Sequence, residues 1–344
     1  MTAPTGAHRI LQVHPSLRCN LRCLHCYSSS GPEERGGVEP ATLLAAAGDA
    51  AEEGFDVLSV SGGEPLLYAG LGALLDGAHA LGMRTTVVTN GMLLDARRLE
   101  VLAGRADVLA ISLDGTPESH DRMRGSPRAF DRMASRLEGV RRAGIPFGFI
   151  FTLTFRNAHE LEWAAAFAAR QGAALLQVHP LEEFGRAGHM LPGLEPDDVE
   201  MAVAWLELHR LRALHPGLRI HADLVDFEEA RGRPEALLAD GPREGWLTAP
   251  LADLVSPLVV EADGTVVPLQ YGLARPYALG NVRDARLRDL ARDWKRERYP
   301  AFADLCARTF RLLEAAPLPL ASWYALVTRM AAGTAGEVAA ATAA

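Results

Sequence analysis

The sequence contains almost no lysine, few cysteines and no long apolar run. Lys295 is the single lysine among 35 Lys and Arg residues, and cysteine occurs four times in 344 residues. No segment approaches the roughly 20 apolar residues that span a bilayer, and the start, "MTAPTGAHRILQV", lacks the basic and apolar regions of a secretory signal. A net charge of −8 argues against a general nucleic-acid binder. We therefore expect a cytoplasmic protein with reduced thiols and no membrane or nucleic-acid partner.

Short apolar runs alternate with amphipathic stretches over the first half of the chain. Strands are predicted at 10–15, 57–62, 85–90, 108–115, 147–155 and 175–181. Helical patterns lie near 40–53, 69–81, 95–104, 127–143 and 158–171. This alternation predicts an α/β fold with βαβ units and a parallel sheet. Six units are fewer than the eight of a closed barrel, so the sheet is either a partial barrel or an open doubly wound sheet.

The pattern changes after Leu181. A loop punctuated by Gly and Pro leads to a predicted helix at 196–214 and a short strand in "LRIHADL". Two β runs at 258–270 surround Asp263-Gly264, which is a hairpin signal. Helical stretches fill most of 285–331, and the tail "AAGTAGEVAAATAA" is predicted to be frayed or a loosely docked helix.

Polar or glycine-rich motifs follow the first four predicted strands. They are a cysteine segment after the first strand, "GGEP" at 62–65, "TNG" at 89–91 and "SLDG" at 112–115. Ligands of parallel α/β sheets bind at the carboxyl ends of the strands. We therefore expect these loops to converge on one face of the sheet.

Three of the cysteines lie in the segment "CNLRCLHCY" with the spacing C-x3-C-x2-C: Cys19, Cys23 and Cys26. Cysteine thiolates hold iron–sulfur clusters, usually four per cluster. Here a fourth ligand is missing locally, and an open coordination position is where a metal does chemistry. The alternatives are a structural zinc site completed by His14 or His25, a thioredoxin-like C-x-x-C pair, and unrelated buried cysteines.

Taken together, these motifs resemble the signature of radical S-adenosylmethionine (SAM) enzymes. The similarity extends from "CNLRCLHCY" through "SGGEPLL" (61–67), "TNGMLL" (89–94) and "SLDGTPESHDRMRG" (112–125), and covers about the first 180 residues. It implies a partial (β/α)6 TIM-like barrel, which we assign to residues 1–215. It also implies a [4Fe–4S] cluster on Cys19, Cys23 and Cys26, with the amino and carboxylate groups of SAM on the fourth iron.

The resemblance implies the chemistry as well. Reduction of the cluster, by an electron donor of the flavodoxin or ferredoxin type, would cleave SAM to methionine and a 5′-deoxyadenosyl radical. That radical would abstract a hydrogen atom from the substrate. The protein's task is then to position the reactants and to exclude solvent, and the region after Leu181 is a candidate lid.

Several side chains are candidates for binding SAM. The "GGEP" segment is expected to hold the SAM ammonium, with Glu64 and exposed carbonyls as charge-assisted acceptors. His25 matches a position where the family usually has an aromatic residue against the adenine, and Arg124 is a candidate partner of the SAM carboxylate. The full predicted set is His25, Gly62, Gly63, Glu64, Pro65, Asn90, Ser112, Asp114, Arg124, Asn157 and Gln177, with Thr154 similarly placed.

The segment at 259–294 resembles the SPASM or twitch domain of one subgroup of the family, whose cysteines bind auxiliary clusters. Here Leu269 follows the hairpin's Pro268, where that subgroup has a cysteine, and Cys306 is the only cysteine further on. We therefore expect residues 216–344 to be a small α+β remnant lobe without auxiliary clusters. Cys306 is either a buried apolar residue or a catalytic thiol that returns a hydrogen atom to the substrate radical.

Polar residues just past the sixth predicted strand are candidates for substrate contact or proton transfer. They are His179, Glu182, Glu183, Arg186 and His189, and the carboxylates of "HADLVDFEE" (221–229) are further candidates.

Our primary hypothesis is a radical SAM enzyme that acts on a small natural-product intermediate such as a sugar or nucleoside. The missing auxiliary cysteines and the start of the chain almost at the first strand favour this substrate class over a peptide. Maturation of a ribosomally made peptide is the alternative. A non-catalytic iron–sulfur or zinc protein is the alternative of another class. Epimerisation, dehydrogenation, decarboxylation and dehydration are all open as outcomes.

Overall fold

Parallel strands of mostly apolar residues form the centre of the molecule. The computed structural model describes residues 8–314 and 320–333, so most of the predicted tail helix lies outside the described residues. The strands are β1 (Ile10–Val13), β2 (Val57–Val60), β3 (Arg84–Thr89), β4 (Val108–Ser112), β5 (Phe147–Leu153), β6 (Leu175–Pro180), β7 (Arg219–Ala222), β8 (Val225–Asp226), β9 (Leu258–Val260), β10 (Thr265–Pro268), β11 (Gly280–Asn281) and β12 (Leu320–Ala321).

In the described residues, ten of these strands form one sheet in the order β11-β10-β9-β1-β2-β3-β4-β5-β6-β7. From β9 to β7 every neighbouring pair is parallel, while β10 and β11 add on in antiparallel fashion. The mostly parallel α/β sheet confirms the predicted fold class. All six predicted strands are present, and the predicted hairpin is β9–β10.

Helices connect the strands and cover the sheet. They are α1 (Pro40–Glu52), α2 (Leu71–Ala80), α3 (Ala96–Leu102), α4 (Pro117–Arg124), α5 (Ala129–Ala134), α6 (Leu137–Arg142), α7 (Leu161–Gln171), α8 (Ala187–Met190), α9 (Asp198–Leu214), α10 (Phe227–Arg231), α11 (Leu251–Leu254), α12 (Leu287–Glu297), α13 (Tyr299–Glu314) and α14 (Trp323–Ala331). No helix in the described parts of the chain is long and apolar enough to cross a membrane.

The segment after β4 differs from the prediction. The expected helix at 127–143 is two helices, α5 and α6, and a further helix, α4, precedes them. Pro117 at the first turn of α4 and Gly125 at its end, with φ of 61°, account for its limits. This helix matters for the site because its last turn faces the cysteine segment.

The sheet continues across the predicted domain boundary. Strand β7, which follows that boundary, pairs with β6, and β9 pairs in parallel with β1. The division at residues 215 and 216 stays a prediction, and strands from both sides of it share one sheet.

Two ion pairs with at least one buried partner join α12 to α1. Arg286 Nη2 lies 2.6 Å from Oδ1 of Asp49, whose side chain is buried. The single lysine, Lys295, is buried as well, and its Nζ lies 2.7 Å from Glu53 Oε2. Glu53 Oε2 also accepts a hydrogen bond from the Leu251 N–H. These contacts join residues more than 190 positions apart in the sequence.

Replacing Lys295 by alanine should lower the free energy of unfolding by about 3 kcal/mol, because Glu53 would keep its charge without its cation. Arg292→Ala, on the same helix, is the matched control: its guanidinium is exposed and lies 2.9 Å from Asp289, so the loss should stay below about 1 kcal/mol. Urea unfolding followed by circular dichroism measures both. Equal losses for the two variants would contradict the assignment.

Candidate active site

Loops from the carboxyl ends of the strands meet around the cysteine segment. This segment follows β1, "GGEP" follows β2, Asn90 follows β3 and Asp114 follows β4. Hydrogen bonds between these loops, rather than one continuous element, build the site. The predicted convergence of the first four motifs is therefore present.

Backbone contacts join "GGEP" to the chain that leads into the cysteine segment. The N–H of Gly63 donates to Ser16 O at 2.9 Å, and the N–H of Glu64 donates to Arg18 O at 2.9 Å. A Cβ on Gly63 would overlap the Arg18 carbonyl, and one on Gly62, where φ is 100°, would lie 2.8 Å from Ser16 O. Both positions require glycine because backbone packs against backbone. The two glycines thus pack directly against the backbone that leads into the cysteine segment, whether or not they also contact a ligand.

Glu64 is a buried carboxylate with several internal donors. Its Oε1 accepts from the Leu66 N–H at 3.1 Å and from Thr89 Oγ1 at 2.8 Å, and its Oε2 accepts from the Asn90 N–H at 2.9 Å. Burial raises the pKa of Glu64, although these donors and the Arg124 charge oppose the rise. The side chain therefore fixes the loops after β2 and β3 to each other, and Oε2 keeps lone-pair capacity for one more donor.

Asn90 connects the loop after β3 to the cysteine segment. Its Nδ2 donates to Asn20 Oδ1 at 2.9 Å, and its Oδ1 accepts from the Met92 N–H at 3.1 Å. Asn20 lies directly after Cys19. Asn90 is a predicted site residue and Asn20 is not, because only the folded structure brings the two amides together.

The three thiols lie close to the protein interior. Cys19 and Cys23 are each 8% exposed, and Cys26 is partly exposed. Burial raises the pKa of Cys19 to about 12, and it raises the pKa of Cys23 as well, although Arg124 opposes this second rise. Buried thiols of this kind keep their protons until a metal displaces them.

Arg124, from the end of α4, bridges a thiol and a carboxylate. Its Nη1 lies 3.7 Å from Cys23 Sγ, and its Nε lies 2.6 Å from Asp114 Oδ2. Burial alone would raise the pKa of Asp114, but Arg124, with His25 and His120, brings it below its ordinary value. The guanidinium predicted to meet the SAM carboxylate therefore already has two partners inside the protein.

His25 and His120 are neutral neighbours of Asp114. The Nε2 atom of His25 lies 3.8 Å from Asp114 Oδ1, and the Nδ1 atom of His120 accepts from the Asp114 N–H at 3.2 Å. Burial lowers the pKa of each imidazole to about 4. His25 thus lies beside the "SLDG" loop and carries no charge at neutral pH.

Other predicted SAM-binding residues have partners inside the protein. Asn157 Nδ2 donates to Thr152 O at 2.8 Å and to Asp114 O at 3.3 Å, and its Oδ1 accepts from the Thr154 N–H at 2.7 Å. Gln177 Nε2 donates to Asp223 Oδ1 at 2.5 Å. Pro65 begins the short 3-10 turn after Glu64, and Ser112 is buried at the end of β4.

Arg186 binds several backbone carbonyls in and just after the cysteine segment. Its guanidinium donates to Cys23 O at 2.9 Å, Ser29 O at 3.0 Å and Ser30 O at 2.7 Å, and its N–H donates to Cys26 O at 3.0 Å. Its position just past β6 predicts a place at the rim of the substrate cavity. A contact with substrate stays a prediction, and the structure shows its guanidinium bound to loop carbonyls. No sequence motif signals this contact, which spans more than 150 residues.

An acidic cluster lies at the ends of β6 and β7. The Nδ1 atom of His179 pairs with Asp223 Oδ2, and Gln270 Nε2 donates to Glu182 Oε2. Burial raises the pKa of Glu182 to about 7. Burial would lower the pKa of His179, but Asp223 raises it above its ordinary value. Asp223, within the "HADLVDFEE" segment, is the carboxylate that the sequence could not single out.

Aromatic rings connect this cluster to the cysteine segment. Tyr271, from the loop after β10, stacks on His14 with ring centroids 4.7 Å apart and meets Tyr27 edge-on at 5.5 Å. Tyr27 directly follows Cys26. The loop after the hairpin thus contacts the end of β1 and the cysteine segment.

The fourth cysteine, Cys306, is buried in the C-terminal part of the chain. Its thiol lies in α13 and is 0% exposed, and burial raises its pKa to about 12. A thiol that returns a hydrogen atom must meet the substrate, so this burial favours the structural interpretation, and a catalytic role of Cys306 stays a prediction. The residue packs as a small apolar side chain.

The ligand set fits an iron–sulfur cluster better than a single metal ion. In residues 8–314 and 320–333, no three His, Cys, Asp or Glu side chains converge on one ion position. A [4Fe–4S] cluster does not require that convergence, because each cysteine binds a different iron. His14 stacks on Tyr271 and His25 faces Asp114, so neither histidine completes the zinc site considered above.

Comparison with protein families identifies a domain in the first half of the chain. Residues 13–168 match the Radical SAM superfamily. An AdoMet-dependent heme synthase of Methanosarcina barkeri is 33% identical over 60% of this chain and 59% of its own length. The Fe-coproporphyrin III synthase of the same organism is 28% identical over 85% and 78%. The sporulation killing factor maturation protein SkfB of Bacillus subtilis is 26% identical over 79% and 62%.

Solved structures share the fold. Streptococcus suis SuiB bound to S-adenosylmethionine has a TM-score of 0.68 at 15% identity, covering 89% of this chain and 74% of SuiB. SuiB bound to its precursor peptide SuiA has a TM-score of 0.66 at 16% identity, covering 86% of this chain and 66% of SuiB. Residues 13–168 are a Radical SAM domain. The chain therefore contains a Radical SAM domain, and it spans between 59% and 78% of the length of these three curated relatives.

Gly63→Ala should lower the free energy of unfolding by about 1–3 kcal/mol, because its Cβ overlaps backbone that cannot rotate away. Gly48→Ala is the control. A Cβ at Gly48 meets nothing within 4 Å, and alanine favours the helix interior by up to about 1 kcal/mol. Guanidinium chloride unfolding distinguishes them. A neutral Gly63→Ala would show that the loops are not held by this close approach.

Proposed function

We propose that Cys19, Cys23 and Cys26 hold the [4Fe–4S] cluster, and that the surrounding strand-end loops hold SAM. The observation that carries this proposal is the set of bonds by which "GGEP", Asn90 and Arg186 fix the cysteine segment. A ligand loop held on all sides is pre-organised for a rigid cofactor.

The chemistry that cluster and SAM supply when bound is reductive SAM cleavage followed by abstraction of a substrate hydrogen atom. The protein's own residues position these reactants. Glu64 Oε2 and nearby carbonyls are the proposed acceptors for the SAM ammonium, and Ser112 lies at the adjacent strand end. A donor of the flavodoxin or ferredoxin type is the proposed electron source.

We propose a small, hydroxyl- or amine-bearing substrate of the sugar or nucleoside kind. The support is the cluster of Glu182, Asp223 and His179 at the ends of β6 and β7. Carboxylates and an imidazole suit hydroxyl and ammonium groups. They do not suit the several carboxylates of a porphyrin, although two of the relatives are named for tetrapyrrole synthesis.

Peptide modification is the second candidate. It is favoured by the similarity to SkfB and by the fold shared with SuiB, which has been solved with its precursor peptide. Both candidate functions use the same radical chemistry and differ in the class of substrate.

We also propose that residues 216–344 are a remnant lobe without auxiliary clusters. Leu269 is buried where the SPASM and twitch subgroup has a cysteine, and Cys306 is buried in α13. The cytoplasmic location stays a prediction.

Anaerobic reconstitution tests the cluster assignment. We expect about four irons per chain and formation of 5′-deoxyadenosine that depends on reductant. Replacing Cys19, Cys23 and Cys26 by alanine should abolish both, because no thiolates remain to bind iron. Cys306→Ala is the control and should retain both. Zinc binding, or iron binding without SAM cleavage, would favour the non-catalytic alternative.

A defined panel tests the substrate class. With reduced enzyme and SAM, we expect nucleosides or amino sugars to increase 5′-deoxyadenosine formation, and coproporphyrin and short peptides to leave it unchanged. Glu182→Gln should reduce the increase about tenfold, because the amide offers the substrate one acceptor oxygen fewer than the carboxylate. Glu228→Gln, whose carboxylate is exposed, is the control. An increase with peptides alone would favour the second candidate.

A further inference from the structure

The positively charged Arg124 lies between the proposed cluster ligand Cys23 and the negatively charged Asp114. The Nη1 atom of Arg124 lies 3.7 Å from Cys23 Sγ, and its Nε lies 2.6 Å from Asp114 Oδ2. Arg124 is 8% exposed and Asp114 1%. Solvent therefore screens neither charge strongly, and both act on the sulfur at short range.

The backbone, and not only the side chain, places Arg124 there. Helix α4 ends at Arg124, and the Met123 carbonyl accepts a hydrogen bond from the Leu24 N–H at 2.9 Å. A Cβ on Gly125 would lie 3.0 Å from Arg22 O. The last turn of α4 is thus docked on the cysteine segment on both sides of Cys23.

We propose that Arg124 is a positioning residue that raises the reduction potential of the cluster through Cys23 Sγ, and that Asp114 limits this rise. The inference rests on the proposed function, because it requires Cys23 to bind iron. Charge near a cluster and hydrogen bonds to its sulfurs set its potential. A guanidinium that donates to a thiolate stabilises the reduced, more negative cluster, and a carboxylate on the same guanidinium reduces that effect.

The other charged groups near Cys23 do not reproduce this arrangement. His25 and His120 contact Asp114 rather than the Cys23 sulfur. Arg186 donates to the Cys23 carbonyl and not to its sulfur. Glu64 acts on Cys19 and is bound to Thr89 and Asn90. Within the described residues, the direct contact with Cys23 Sγ comes from Arg124.

Potentiometric titration followed by electron paramagnetic resonance tests the proposal on the reconstituted full chain without SAM or substrate. Arg124→Gln should shift the midpoint to more negative potential, with the ratio of reduced to oxidised cluster at a fixed potential falling about tenfold, or about 59 mV for one electron. Asp114→Asn should shift it in the opposite direction. Arg122→Gln, on the exposed face of the same helix, should leave it unchanged.

Shifts of opposite sign are the expected result, since a purely structural role would not produce them. Unshifted midpoints, or shifts of the same sign, would overturn the proposal. If Arg124→Gln fails to hold a cluster, Arg124→Lys replaces it, with a smaller negative shift expected because the fork geometry is lost. Loss of the cluster in both Arg124→Lys and Asp114→Asn would show that Arg124 and Asp114 are required for the structure of the site, and would overturn the proposal. Absence of SAM cleavage by the unaltered protein would instead contradict the proposed function.

Discussion

The close approach of two backbone segments at the carboxyl ends of β1 and β2 is the constraint on which the site depends. Gly62 and Gly63 have no side chain, so the chain from Ser16 to Arg18 can lie directly against them and accept hydrogen bonds from the N–H groups of Gly63 and Glu64. Without these contacts the loop that carries the three thiols would be mobile, because ordering each residue of a loop costs conformational entropy. The paired glycines convert it into a fixed extension of the sheet.

Around this junction, the protein uses polar side chains mainly to bind its own loops. Glu64, Asn90 and Asn157 each bridge two strand ends, and Arg186 holds the carbonyls of the cysteine segment. Such contacts supply a second layer that keeps ligands within the narrow tolerance that catalysis requires. A residue can therefore belong to the site without touching the cofactor.

The sequence was informative where local patterns determine structure. Alternating apolar runs predicted the strands, and the spacing of Cys19, Cys23 and Cys26 predicted the ligand loop. It was less informative where distant segments meet: nothing local to Arg186 or Asp223 indicates their partners, because these contacts form only when β6 and β7 join the sheet. Cys306 was ambiguous for the same reason, since helical spacing does not reveal which side of α13 faces the core.

The placement of β9 beside β1 has a consequence for how the chain can be divided. Strand β1 carries the cysteine segment and is flanked by β2 on one side and by β9 on the other. A shortened protein that ended before β9 would leave the hydrogen-bonding groups of β1 open along one side. An exposed strand edge of this kind promotes pairing with other chains and aggregation. The C-terminal region is thus a permanent neighbour of the strand that bears the thiols, rather than an appendage that can be removed.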